Sequence, residues 1–193
     1  MELILDGKKE SITEEKDLIS KTIDYIQKIE SKGHVVKHFY INGQSEPNFW
    51  GVLENSFKDY DLKKVEVITA DTEVLIDETL NTAVNYLDKL CSYIDNQSKE
   101  LKAEKGELDT LFAQLEESLK WITEALSGLQ GNLQDYSLED KMKLLFENIR
   151  KLEAIMKEND RKALGEFLEK DMKKCLLDIR ARLAGIHEKR KEN

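Results

Sequence analysis

Three histidines and two cysteines are the side chains of this sequence best suited to metal or nucleophilic chemistry. His34 and His38 stand four apart, and a regular strand would place both on one side. A zinc site needs three or four donors, yet no third His, Cys or acidic residue follows at ligand spacing. His187 has Ala184 three positions before it, so the Glu-x-x-His pairs of di-iron bundles are missing. Cys91 and Cys175 lie 84 positions apart and belong to no CxxC pair. Both fall on apolar faces of predicted helices and read as buried, reduced thiols. A redox pair would require those helices to be neighbours. Gly43-Gln44-Ser45-Glu46-Pro47 opens like a nucleophile elbow but lacks the closing glycine, which leaves Ser45 as a turn or cap residue. Glu14-Glu15 and Glu116-Glu117 point about 100° apart on a helix, so neither pair converges on a substrate atom. They read as solvated faces with i,i+4 partners such as Lys120 for Glu116. No catalytic residue, cofactor site or metal ligand is expected.

The stronger lead is aromatic. Phe49, Trp50, Phe57 and Tyr60 crowd one short segment, and large aromatics are enriched at protein interfaces. These four are the candidate partner-binding residues. Packing at a junction between sheet and helices is the competing reading.

The elements that must position them follow from patterning. Leu3 to Leu5 and Lys8 to Ile12 flank Asp6-Gly7, a two-residue hairpin signal. Thr13 is placed to cap a helix whose apolar face carries Leu18, Ile19, Thr22, Ile23, Ile26 and Ile29, ending at Gly33. Val35 to Ile41 alternate as a strand closed by Asn42-Gly43. Pro47 suits the first turn of a short helix carrying Phe49, Trp50, Leu53 and Phe57. Val65, Val67 and Thr69 mark a last strand.

From Asp71 every signal is helical. Leu80, Val84, Leu87, Cys91, Ile94, Ser98 and Leu101 alternate spacings of four and three, a heptad seam. Lys105-Gly106 is a break, after which Leu108, Phe112, Leu115, Leu119, Ile122, Leu126 and Leu129 repeat the pattern. Gly131 to Tyr136 read as a loop. A third helix presents Leu138, Met142, Leu145, Ile149, Leu152 and Met156, and Asn159-Asp160 punctuates. A fourth offers Leu164, Leu168, Met172, Cys175, Ile179, Leu183 and Ile186. A shift of 58 residues lays Leu80, Val84, Leu87, Cys91 and Ile94 on Leu138, Met142, Leu145, Ile149 and Leu152, as duplication of a helical hairpin would. The expected fold is α+β: a small ββαββ, β-grasp-like module over 1–70 packed with an antiparallel four-helix bundle over 71–193.

Composition bounds the partners. Of 193 residues 36% are charged, the net charge is −9, and proline occurs once. No apolar run approaches the ~18 residues of a membrane span, and no signal peptide opens the sequence. The chain is expected in the cytoplasm without membrane insertion. Residues 71–160 carry 10 basic and 20 acidic side chains, whereas 161–193 carry 10 basic and 6 acidic. Arg180, Arg182, Lys189, Arg190 and Lys191 would suit nucleic acid, but no aromatic stands beside them and the overall charge repels phosphate. They read instead as the complement of the other helices.

The helical half also resembles a family of functionally uncharacterised bacterial proteins with a short α/β start and a helical end. The resemblance rests on Phe112 to Ile122 and on Met156 to Glu169, where a short turn leads into Leu-x-x-x-Leu-Glu. Lys170 stands where those relatives often carry tyrosine. The likeness implies a bacterial origin and a bundle, and no activity. The expected function is a non-catalytic adaptor or scaffold with an unidentified protein partner, open to self-association. The alternative is an acidic helical chaperone for a secretion or flagellar client, held in a bundle groove.

Overall fold

A computed structural model describes residues 1–55, 57, 60–105, 107–133 and 135–192. The chain divides into two compact units, Met1–Leu75 and Ile76–Asn193.

In the first unit, β1 (Glu2–Leu5) and β2 (Lys8–Ser11) form an antiparallel hairpin. Asp6 and Gly7 turn it at φ of 46° and 79°, the positive values a two-residue hairpin demands. Helix α1 (Glu15–Glu30) follows. Its N-cap is Glu14, with no side-chain cap bond, so Thr13 does not cap it. β3 (His34–Ile41) turns at Asn42-Gly43, again at positive φ, into the two-residue β4 (Gln44–Ser45). Helix α2 (Phe49–Glu54) and β5 (Lys64–Asp71) complete the unit. The sheet order is β2-β1-β5-β3-β4, with β1 and β5 parallel and the other pairs antiparallel. Leu3, Phe39, Ile41, Val65 and Val67 of the sheet bury against Leu18 and Ile26 of α1.

β3 is not regular. Its register against β5 shifts between Val36 and His38, so Lys37 is the extra residue of a bulge. Val36 and Phe39, three apart, therefore share the core face. The bulge reverses the alternation, and His34 and His38 lie on opposite faces rather than one.

The second unit is helical. α3 (Thr72–Lys102), α4 (Leu108–Leu133) and α5 (Tyr136–Glu158) are followed by α6 (Arg161–Phe167), a π turn at Leu168–Met172, and α7 (Lys173–Lys191). The expected loop at 131–136 is shorter, because α4 continues through Gly131 to Leu133. Asp135 caps α5, accepting from the Ser137 amide at 2.9 Å. Asn159 ends α5 in the left-handed region at φ 57°, and Asp160 caps α6 through the Ala163 amide at 2.9 Å.

Cross-helix bonds define the neighbours. Lys102–Glu169, Lys173–Asp95, Arg180–Asp88 and Arg190–Asp77 step in opposite directions along α3 and the α6–α7 run, which are antiparallel. Lys141–Asp178 and Arg182–Asp135 set α7 antiparallel beside the α5 end of the chain. Tyr86 of α3 donates to the Ser118 hydroxyl of α4 at 2.9 Å and tilts against Trp121, ring centres 4.7 Å apart. Gly165 lets α6 approach α3 closely: a Cβ there would stand 3.0 Å from the Ser98 carbonyl oxygen. From Leu164 to Ile186 the apolar stripe takes six steps over 22 residues, about 3.67 per turn against 3.5 for a heptad. The steps run 4, 4, 3, 4, 4, 3, and the π turn at Leu168–Met172 spans the second of them.

Candidate functional site

The seam residues fare differently on different helices. On α3 every seam position but Val84 is buried, and on α6–α7 all seven are. On α4 and α5, Phe112, Met142, Ile149 and Met156 stay half-buried despite holding seam positions. The two helices part along this face into a groove of about 620 Å³. Leu115, Leu119 and Leu152 form its floor, Phe112 and Met156 line it, and Phe146 stands at its lip, 42% exposed. At 1.5 Å per residue, Phe112 to Glu124 spans about 18 Å and Phe146 to Met156 about 15 Å.

Charge lines the rim. Glu116, Lys120 and Glu124 of α4 and Glu153 of α5 flank the apolar floor. These side chains are exposed, and among the described residues no ion pair forms at Glu116, Glu124 or Glu153. The expected Glu116–Lys120 pair is therefore absent. The groove exposes apolar surface to water at a place where the seam pattern calls for burial, and groups of that kind mark ligand or protein contacts.

The aromatic quartet separates into two roles. Phe57 is 1% exposed in the core of the first unit, outside α2, at φ 53°. Phe49 packs half-buried on the same core, stacked on Phe39 at 5.4 Å. Trp50 and Tyr60 reach the surface, 38% and 36% exposed. Tyr60 donates to the Glu46 carboxylate at 2.6 Å, and Trp50 lies against Phe49 with ring centres 5.3 Å apart. Two of the four candidates thus build the core, and two are available to a partner.

Elsewhere in the first unit, Asp6 gathers hydrogen bonds. The Thr69 amide donates to one carboxylate oxygen at 2.8 Å, and the Thr69 hydroxyl donates to the other at 2.7 Å. The Tyr25 hydroxyl donates to that second oxygen as well. Burial pushes the Asp6 carboxyl up, but these donors and the nearby His34 outweigh it and hold it below its usual value. Burial, joined by the carboxylate it faces, raises the Tyr25 hydroxyl to about 12. The three groups tie hairpin, helix and β5 together.

The thiols of Cys91 and Cys175 are both buried and free. Burial pushes both up, Cys175 to about 11, so they stay protonated at neutral pH and are poor nucleophiles. Among the described residues no three His, Cys, Asp or Glu side chains come together as a metal site. No described helix is long and apolar enough to cross a membrane.

Three of the five cations near the end of the chain are arginines engaged with α3 and the start of α5. Arg180 forks onto both Asp88 oxygens at 3.0 Å, Arg190 meets Asp77 at 2.7 Å, and Arg182 reaches Asp135. Hydrogen bonds from Ser137, with Arg182 beside it, hold the Asp135 carboxyl below its usual value.

Residues 78–182 match the model of one protein family, described as a domain of unknown function (DUF8042), and the chain belongs to that family. The match begins seven residues into α3 and ends within α7, so it includes both walls of the groove. No curated protein and no solved structure matches the chain.

Proposed function

We propose that this DUF8042 member is a non-catalytic interaction protein of the bacterial cytoplasm, an adaptor or scaffold that docks a protein partner in the α4–α5 groove. The observation that carries the reading is the groove itself, where seam residues Phe112, Ile149 and Met156 remain half-exposed beside Phe146. The wider architecture fits a β-grasp module joined to an antiparallel four-helix bundle. A β2-β1-β5-β3-β4 sheet covered by one helix supports the first part, and the ion pairs between antiparallel helices support the second. Trp50 and Tyr60 offer a second contact patch on the sheet unit.

The groove equally favours an acidic chaperone that shields an amphipathic segment of an exported client. One experiment separates these readings. A photo-crosslinking residue at the exposed rim position 120 of the full chain is irradiated in lysate and compared with one at position 50, each with and without Phe146→Asp. A partner trapped from position 120 and lost when Phe146→Asp is added supports groove docking, and an exported partner there selects the chaperone. Trapping from position 50 alone moves docking to the sheet unit. Trapping of the chain by its own copies points to self-association.

A further inference from the structure

We propose that the occupant of the α4–α5 groove is a basic amphipathic helix of about three turns, an inference that rests on the groove reading above. Length comes first. The walls run about 15 to 18 Å, close to three turns at 5.4 Å each. Such a helix would present apolar side chains at i, i+3 or i+4, and i+7 to Leu115, Leu119, Ile149 and Leu152. It would supply to α4 and α5 the packing partner that their half-exposed seam lacks.

Charge then selects among apolar occupants. Three carboxylates, Glu116, Glu124 and Glu153, stand at the rim against the single cation Lys120. On antiparallel neighbours joined by a short connection, Glu116 of α4 and Glu153 of α5 fall level with each other across the cleft. Two like charges facing each other repel, and a Lys or Arg laid between them relieves both. A fatty acid or a phospholipid would bring its own anion to the same rim, so the groove disfavours acyl ligands that it would otherwise hold. Arg180, Arg182 and Arg190 are engaged elsewhere, with Asp88, Asp135 and Asp77. The proposal therefore assigns the rim's cations to the helix of a partner protein.

The test uses the full chain and two labelled synthetic peptides of about 12 residues, long enough for a little over three turns. Both carry leucine at helical spacing. One has lysine on its flanking positions, and its twin has glutamate there. Binding is read by fluorescence anisotropy at about 50 mM and about 300 mM salt, between which the screening length falls about 2.4-fold. The lysine peptide is expected to bind at least about tenfold more tightly at low salt, with the margin shrinking as salt rises. Phe146→Asp should abolish binding, and Glu116→Lys with Glu153→Lys should reverse the preference. All these positions are exposed, so circular dichroism of the variants should match the parent. Equal binding of both peptides, lost in Phe146→Asp, would overturn the basic-helix inference and leave the groove reading standing. Full displacement of the lysine peptide by a modest molar excess of dodecanoate over binding sites would overturn it in favour of an acyl ligand. Failure of both peptides to bind would overturn the groove reading itself, and this inference with it.

Discussion

Replacing Gly165 by alanine pits two opposed terms against each other in one helix. In a helix interior alanine is favoured over glycine by about 1 kcal/mol. Gly128 of α4 and Gly185 of α7 meet nothing within 4 Å of a new Cβ, so each substitution there should realise most of that gain. At Gly165 the same methyl would stand 3.0 Å from the Ser98 carbonyl oxygen, 3.2 Å from Lys102 Cγ and 3.3 Å from Leu101 Cβ. The lysine stem can swing aside, but the carbonyl belongs to the backbone of α3 and cannot. Overpacking of this kind costs about 1 to 3 kcal/mol. The net expectation for Gly165→Ala is a loss of about 0 to 2 kcal/mol, and the gap to Gly185→Ala is about 1 to 3 kcal/mol. For a chain of this size each kcal/mol moves the melting temperature by about 2 to 4 °C. Thermal melts followed by far-ultraviolet circular dichroism, with urea titrations beside them, read both variants on one scale. Equal stabilisation by Gly165→Ala and Gly185→Ala would refute the close approach of α6 to α3.

Two further outcomes are expected in the sheet unit. Phe57→Ala should cost about 3 to 5 kcal/mol, because its ring is fully buried, whereas Trp50→Ala, which gives up chiefly the ring contact with Phe49, should cost about 1 kcal/mol. Urea unfolding of the two variants checks this, and equal losses would show that Phe57 is not core. Tyr25→Phe removes the donor to Asp6 and should cost about 1 kcal/mol near neutrality. Because the folded hydroxyl titrates at about 12, above its ordinary 10, its contribution is complete below pH 10 and fades as pH rises toward 12. Asp6 is displaced downward, so its contribution is present above its ordinary 3.8 and fades as pH falls through its folded value. The difference in stability between parent and variant, measured across both ranges, should therefore be greatest on the plateau between them. A difference that is flat with pH would contradict the Tyr25–Asp6 pairing.

Local rules made much of the frame legible. Asp6-Gly7 and Asn42-Gly43 occupy positive φ as their residue types demand, and the seams of α3 and of α6–α7 are buried at all but Val84. What escaped was set by more distant neighbours. Lys37 looks like any outward strand residue, and only pairing with β5 makes it a bulge that parts His34 from His38. Gly131 resembles a breaker, yet α4 runs on through it to Leu133, past the buried Leu126 and Leu129. Phe57 was grouped with the surface aromatics because a cluster in sequence does not say which rings turn inward. The groove was hidden for the same reason. Phe112, Ile149 and Met156 occupy seam positions identical in pattern to buried ones, and their exposure depends on the spacing between helices. Phe146, an aromatic one step off the seam at Leu145, was the available signal.

The π turn at Leu168–Met172 uncouples how long the last helix is from which way it faces. In an unbroken α-helix, losing one residue swings everything beyond it by about 100°, and the apolar stripe of α7 would roll out of the interior. Here the turn already houses one residue more than an α turn needs. Shedding an exposed one, Lys170 for instance, lets the turn relax to ordinary winding and absorbs most of that swing. Leu176, Ile179 and Leu183 would then keep roughly their present bearing. The helix carries slack at one address, and there the chain is free to lose a residue without rebuilding the interior around it.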